Sequence, residues 1–304
     1  MKKKIILIFC GFLFVLGGCS DATTSVSKSD TVMIQVGDEK ITKGDFYTGL
    51  VAAGNSLPVE KKMNEILIDK EVPITDEIKE KAKETLASYK ENYEGDKWVE
   101  AYTGMGYESE EEFFDEVLVY NERVTLLTQA YVKENFDELA KRFKPRMAQV
   151  IEISDPQKAE EALVDAKKKD ADFTLLAQTY GDTTKFDGSE VVYTTHSDLS
   201  DVLWNNIAGA KKSGKVIDKV LQDTTSGTYY IVKVTNHSPK KFKDEAIDAI
   251  KAITIDTTTP DAQGNMELSL ADQAFHFYLQ KYDYSIHDIN VYETLLSTSK
   301  KFER

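Results

Sequence analysis

Histidine, cysteine and carboxylate side chains are the groups with which this chain could hold a metal, attack a carbonyl or move a proton. Its 4 histidines, His196, His237, His276 and His287, are scattered along the sequence, and no HExxH run is present. His276 falls in an aromatic helical run, where an ordinary packed or surface histidine is expected. The 52 Asp and Glu residues are abundant, but no pair is set apart for acid–base work. P-loop, GxGxxG and GxSxG patterns are absent as well. The composition therefore predicts no cofactor and no metal site. A formal net charge of −14 disfavours nucleic acid and anionic lipid head groups, and makes basic or unfolded polypeptides the easier partners.

The 2 cysteines, Cys10 and Cys19, both lie within "MKKKIILIFCGFLFVLGGCS". Lys2, Lys3 and Lys4 form a positive start, and Ile5 to Leu16 is an apolar run too short to span a bilayer as a standard helix but suited to a secretory signal. Gly17 and Gly18 followed by Cys19 resemble the bacterial lipobox, in which the cysteine is acylated and becomes the new N-terminus. Cleavage before Cys19 would discard residues 1–18, Cys10 and the three lysines. The folded part would then have no free thiol for disulfide, metal or nucleophilic chemistry. Several acyl chains on Cys19 would supply stable membrane anchoring. Residues 19–31 read as a lipidated polar tether with too little apolar surface to fold.

The elements that must position any site follow. Val32, Ile34 and Val36 alternate as a strand, Gly37-Asp38 turns, and Thr42 with Asp45 forms a capping box. Helical patterns run to about residue 142, one starting near Thr75 and another capped by Ser109, with Glu112 three residues on and Phe113, Val117, Leu118 and Val124 on one side. Pro145 marks a change to a strand in "RFKPRMAQVIEI". Asp155-Pro156 starts a helix with Ala159, Ala162, Leu163 and Ala166 spaced for packing, and Asp172 caps "FTLLAQTY". Short strands follow around "EVVYTT" and "TYYIVKVTN". From Ser238 the pattern is helical again, in "KDEAIDAIKAI" and "LADQAFHFYLQKY". The fold class is α+β.

"VGDEKITKGDFY" after a lipobox resembles the N-terminal segment of extracytoplasmic foldases, and "ITDEIKEKA" and "ESEEEFFDEV" resemble later helices of the same lobe. "KAEEALVDAKKKDADFTLLAQTYGD", "KSGKVIDKV" and "GTYYIVKVTN" are similar to the helices, turn and closing strand of a parvulin, a small peptidyl-prolyl isomerase domain. The chain thus resembles the PrsA-like foldase lipoprotein family over nearly its whole mature length. The resemblance implies a mostly helical chaperone lobe built from residues 32–142 and 238–304, with a parvulin-like domain, a small antiparallel sheet with flanking helices, inserted at 143–237. It implies unfolded or partly folded secreted polypeptides as partners, a location on the extracytoplasmic face of the bacterial cell membrane, and homodimerisation by analogy.

In that family an active domain carries one histidine in its first strand and another in its last, with a Cys or Asp and a pocket of Met and Phe between them. Here "AQVIE" puts Val150 at the first histidine position, and "GTYYIV" puts Tyr230 at the second. "DGSEVVY" leaves Glu190 at the acid position and Tyr193 at the aromatic one, and Trp204 falls near the first pocket aromatic, with Gly209 near the second. Val150 can make no side-chain hydrogen bond, whereas Tyr230 offers a hydroxyl. The expectation is a degenerate site on a retained scaffold, with little or no isomerase activity. Two other functions stand beside it: an active parvulin-type isomerase, and a solute-binding lipoprotein of a transporter. The latter normally needs two α/β lobes with repeated parallel strands, and the chain has a single short β-rich region.

Overall fold

The computed structural model describes residues 26–302 apart from 37, 54–56, 94–96, 183–184, 259–266, 283 and 299–301. The signal-like segment, Cys10 and Cys19 lie outside the described residues. In chain order the elements are β1 (Val32–Val36), β2 (Glu39–Thr42), α1 (Lys43–Ala52), α2 (Leu57–Glu71), α3 (Asp76–Glu91), α4 (Lys97–Gly104) and α5 (Glu110–Phe113). A π-helix (Phe114–Val119) leads into α6 (Tyr120–Glu134) and α7 (Phe136–Phe143). Then come β3 (Arg146–Ile153), α8 (Pro156–Ala166), α9 (Phe173–Tyr180), β4 (Asp187–Tyr193), α10 (Asp201–Ala208), β5 (Lys215–Val216), β6 (Leu221–Asp223) and β7 (Thr228–Asn236). Helices α11 (Lys243–Lys251), α12 (Leu270–Lys281) and α13 (Ile289–Thr298) close the chain. Long helices beside small antiparallel sheets make this an α+β protein.

Contact density divides the chain into two units, one holding the described residues up to Met63 and those after residue 283, the other Asn64–Tyr282. In the first, β1 and β2 form an antiparallel ribbon, and α1 packs on α13. Thr42 caps α1: its hydroxyl accepts from the Asp45 amide at 3.2 Å while the Asp45 carboxylate accepts from the Thr42 amide at 2.9 Å. Leu295 and Phe302 are fully buried there.

Four apolar clusters among the described residues organise much of the second unit. Ile78, Ala82, Trp98, Phe113, Leu118 and Val119 form one around the π-helix. Another joins helices from both sides of the sheet region: Val132, Phe136, Leu139 and Phe143 of α6 and α7 bury against Phe242, Ala246, Ile247, Ile250, Ile255 and Leu270.

The remaining two clusters lie on the two faces of one antiparallel sheet, in which β3 is flanked by β4 and β7, and β7 pairs further with β5 and β6. Side chains alternate between the faces. Ile151, Ile153 and Ile231 meet Ala159, Ala162, Leu163 and Ala166 of α8 and Phe173 and Ala177 of α9. Asp155 starts α8 by accepting from the Gln157 and Lys158 amides at 2.8 and 3.1 Å. Gly188 lets α9 approach β4: its φ is +77°, and a Cβ there would lie 2.1 Å from the Phe173 carbonyl oxygen. The opposite face carries the candidate site.

Candidate functional site

Strands β3 and β7 run antiparallel with Val150 opposite Val232 and Glu152 opposite Tyr230. Directly paired residues share a face, so Ala148, Val150, Glu152, Tyr230, Val232 and Val234 all project to one side. Helix α10 covers that side with Leu203 and Ile207, and Phe186 and Leu221 fill the ends. Val150 is 1% exposed and Tyr230 7%. Tyr193 is buried in the same cluster, and Trp204 packs against it from α10. Phe186 meets the Tyr230 ring edge-on, centroids 5.8 Å apart at 88°.

The structure thus brings Val150, Tyr193, Trp204 and Tyr230 together, and Glu190 does not join them. Glu190 pairs with Gln149, whose position in β3 belongs to the opposite face, and it is exposed. Gln149 instead donates from Nε2 to the Gly188 carbonyl at 3.0 Å. Plain strand alternation sets this parity, since Glu190 is three residues before Tyr193, which pairs with Arg146 in the same unbroken register. Gly209, near the second pocket aromatic, is the C-cap of α10 and contributes no side chain.

The polar groups nearest Tyr230 form a rim. Burial pushes the Tyr230 phenol up, and the charges of Glu152 and Asp223 push it the same way, against a hydrogen bond with Ser226. Burial raises the Glu152 carboxyl, helped by the neighbouring Asp182 charge. Lys185 is committed to Asp198 at 2.8 Å, which raises its pKa, and its ammonium lies 5.5 Å from the Phe186 ring centre. Asp223 is held low by the Thr225 amide, which donates to it at 2.9 Å. Tyr193 is pushed up to about 12 by burial and then by Asp187.

Chemically this is an apolar floor with a phenol at its edge. Both tyrosines stay protonated near neutrality and can only donate or accept hydrogen bonds. Val150, at the centre, offers neither. Among the described residues no cluster of three or more His, Cys, Asp or Glu could hold a metal ion. Glu152 and Phe186 belong to this site although the motif comparison did not single them out. Glu152 was legible as the residue two past Val150 on the same strand.

No family model matches the chain. A curated protein from Streptococcus mutans named foldase protein PrsA is 28% identical over 257 residues, covering 79% of this chain and 72% of that one. Another of the same name, from Streptococcus pneumoniae strain CGSP14, is 27% identical over 314 residues, covering 93% and 95%. The curated homologues of this chain are PrsA foldases. The longer alignment leaves out so little of the chain that the sheet and the helices on both sides of it fall within the likeness to PrsA. A solved structure of the peptidylprolyl isomerase PrsA from Bacillus cereus aligns with 91% of this chain and 100% of its own, at 16% identity and a TM-score of 0.44. Among the described residues no helix is long and apolar enough to cross a membrane.

Proposed function

We propose that the chain is an extracytoplasmic foldase that assists secreted polypeptides as they fold, anchored to the membrane by acylated Cys19. Its parvulin-like domain, residues 143–237, serves as a scaffold, and residues 32–142 and 238–304 supply the chaperone lobe. The observation that carries the foldase reading is the near full-length likeness to proteins named foldase PrsA. The joint burial of α6 and α7 with α11 supports a lobe drawn from both ends of the chain. The packing of Val150 and Tyr230 into a closed apolar cluster supports the scaffold role. Isomerisation must overcome a barrier of about 18–20 kcal/mol, and a buried valine contributes nothing polar to that task.

An active isomerase is the second reading, favoured by the Tyr230 hydroxyl beside Glu152. The deciding experiment pairs a protease-coupled proline isomerisation assay with suppression of aggregation of an unfolded client. Suppression without isomerisation is the expected result. Turnover abolished by Tyr230→Ala would replace the scaffold role with catalysis. For the anchor, incorporation of labelled fatty acid is expected in the intact chain and lost in Cys19→Ala; equal labelling of both would remove Cys19 from that role.

A further inference from the structure

A cavity lies away from the sheet cluster. It measures about 550 Å³, within the range of ligand pockets. Its walls are α7, the first residue of β3 and the segment that leaves β7, and it is lined by Phe136, Ala140 and Pro239 together with Lys141, Lys144, Arg146 and Lys240. In a chain of net charge −14 such a cluster is an inversion of the general field. Asp137 is the carboxylate in the lining, and Lys240 already holds it at 3.2 Å.

Arg146 is the telling residue. Among the described arginines, Arg123 is paired with Asp69 and Arg142 with Glu267. Among the described residues Arg146 has no carboxylate partner: its Nη1 donates to the Pro145 carbonyl at 2.9 Å, and its buried Nε meets no hydrogen-bond partner there. Burial lowers its pKa, with no neighbouring acid acting against it. Among the described residues Lys141 and Lys144 form no ion pair either. A C-terminal helix dipole would explain cations in the last turn of α7, as Lys141 is, but not Arg146 or Lys240. A half-buried guanidinium left without its anion costs free energy that an incoming carboxylate would return. The apolar wall of Phe136, Ala140 and Pro239 suits the side chain next to that carboxylate.

We infer that this pocket is a binding site for a polypeptide segment in which an Asp or Glu adjoins a large apolar residue, its carboxylate received by Arg146 and flanked by Lys144 and Lys141. The inference rests on the foldase reading only for the source of such segments.

The test measures fluorescence anisotropy of a labelled, end-blocked LEFDL peptide and its isosteric amide LQFNL with the full chain. LEFDL is expected to bind, LQFNL to bind about ten-fold more weakly or worse, and added salt to weaken LEFDL. Arg146→Gln, which removes the unpartnered donor, should fold as well as the parent by thermal melt and lose about ten-fold in LEFDL affinity. Lys144→Asn keeps a residue that tolerates the φ of +47° there and should lose less. Equal binding of the two peptides, or no change in Arg146→Gln, overturns the inference. Inorganic phosphate binding by calorimetry, lost in Arg146→Gln, while LEFDL fails to bind would make it a free-anion site and overturn the peptide assignment. Client aggregation assayed alongside separates the two failures: suppression without LEFDL binding sinks the pocket alone, and loss of both sinks the foldase reading.

Discussion

Ending the chain at His237 removes α11, α12 and α13, and with them most of the buried residues that pack on α6 and α7. Phe242, Ile247, Ile250, Ile255 and Leu270 are all buried against Val132, Phe136, Leu139 and Phe143. Each large apolar side chain contributes about 1.5–3 kcal/mol on full burial, so the five removed together forfeit roughly 7–15 kcal/mol as an upper estimate. That is the size of the whole stability of a typical domain, about 5–15 kcal/mol. The hydrogen bond from Arg142 to Gln273 at 3.0 Å is lost as well. By contrast, the two clusters on the faces of the sheet use no residue beyond Val234. The truncated chain should therefore lose α6 and α7 while keeping β3, β4, β7 and their helices.

Limited trypsin digestion read by mass spectrometry checks this. Cleavage after Lys133, Lys141 and Arg142 should accelerate by at least ten-fold, with sites in α8 and β7 unchanged. Ile250→Ala in the full chain should show the same trend more mildly, at about 2–5 kcal/mol of lost stability. Unchanged protection of residues 120–143 in the truncated chain would refute the shared core, and with it the lobe drawn from both ends.

Gly188→Ala should cost about 3 kcal/mol or more in a urea titration, because its Cβ would enter the Phe173 backbone and its φ is +77°; a loss below about 1 kcal/mol would show that α9 can move away. Arg123→Met should cost about 1–3 kcal/mol, since Arg123 is 6% exposed and donates to the Val72 carbonyl at 2.8 Å and to Asp69 at 2.7 Å. Asp69→Asn, on an exposed side chain, should cost about 1 kcal/mol or less, and equal losses would misplace the interaction. Tyr193 and Tyr278, both raised to about 12, bind their protons more tightly folded than unfolded. Their contribution is complete below pH 10 and is lost as pH rises toward 12, so the urea midpoint should fall over that interval; a flat midpoint would contradict it. Val150→His with Tyr230→His should lower stability by roughly 1–3 kcal/mol through overpacking and an unpartnered ring N–H, with no isomerisation gained. Turnover at unchanged stability would mean the cluster opens to peptide.

Much of the local structure was legible because it is set by neighbours in sequence. Thr42, Thr75, Ser109, Asp155 and Asp172 each accept from an amide two or three residues on. The apolar spacing of Ala159, Ala162, Leu163 and Ala166 is the buried stripe of α8. The π-helix at Phe114–Val119 was not legible, since its composition is that of any helix and only the hydrogen-bond spacing differs. The face on which Glu190 lies was legible, because alternation along one strand puts it opposite in parity to Tyr193, three residues on. The Arg146 pocket joins residues roughly a hundred positions apart, so "KRFKPR" alone reads as a solvated basic run.

Exposure, more than residue type, separates a scaffold from a catalyst at Val150 and Tyr230. A group that holds a twisting amide must touch it, and a side chain 1% exposed beneath Leu203 and Ile207 touches only protein. Tyr230 keeps its ring against Phe186 and sends only its hydroxyl toward the rim of Glu152, Asp223 and Ser226. On the proposed reading, Val and Tyr in place of imidazoles do two things together: they remove hydrogen-bonding groups and fill the volume with tightly packed carbon. The sheet gains cohesion from that filling. On the proposed scaffold role the task of this site is cohesion, and the polar rim of Glu152, Asp223 and Ser226 satisfies the Tyr230 hydroxyl where the apolar floor cannot.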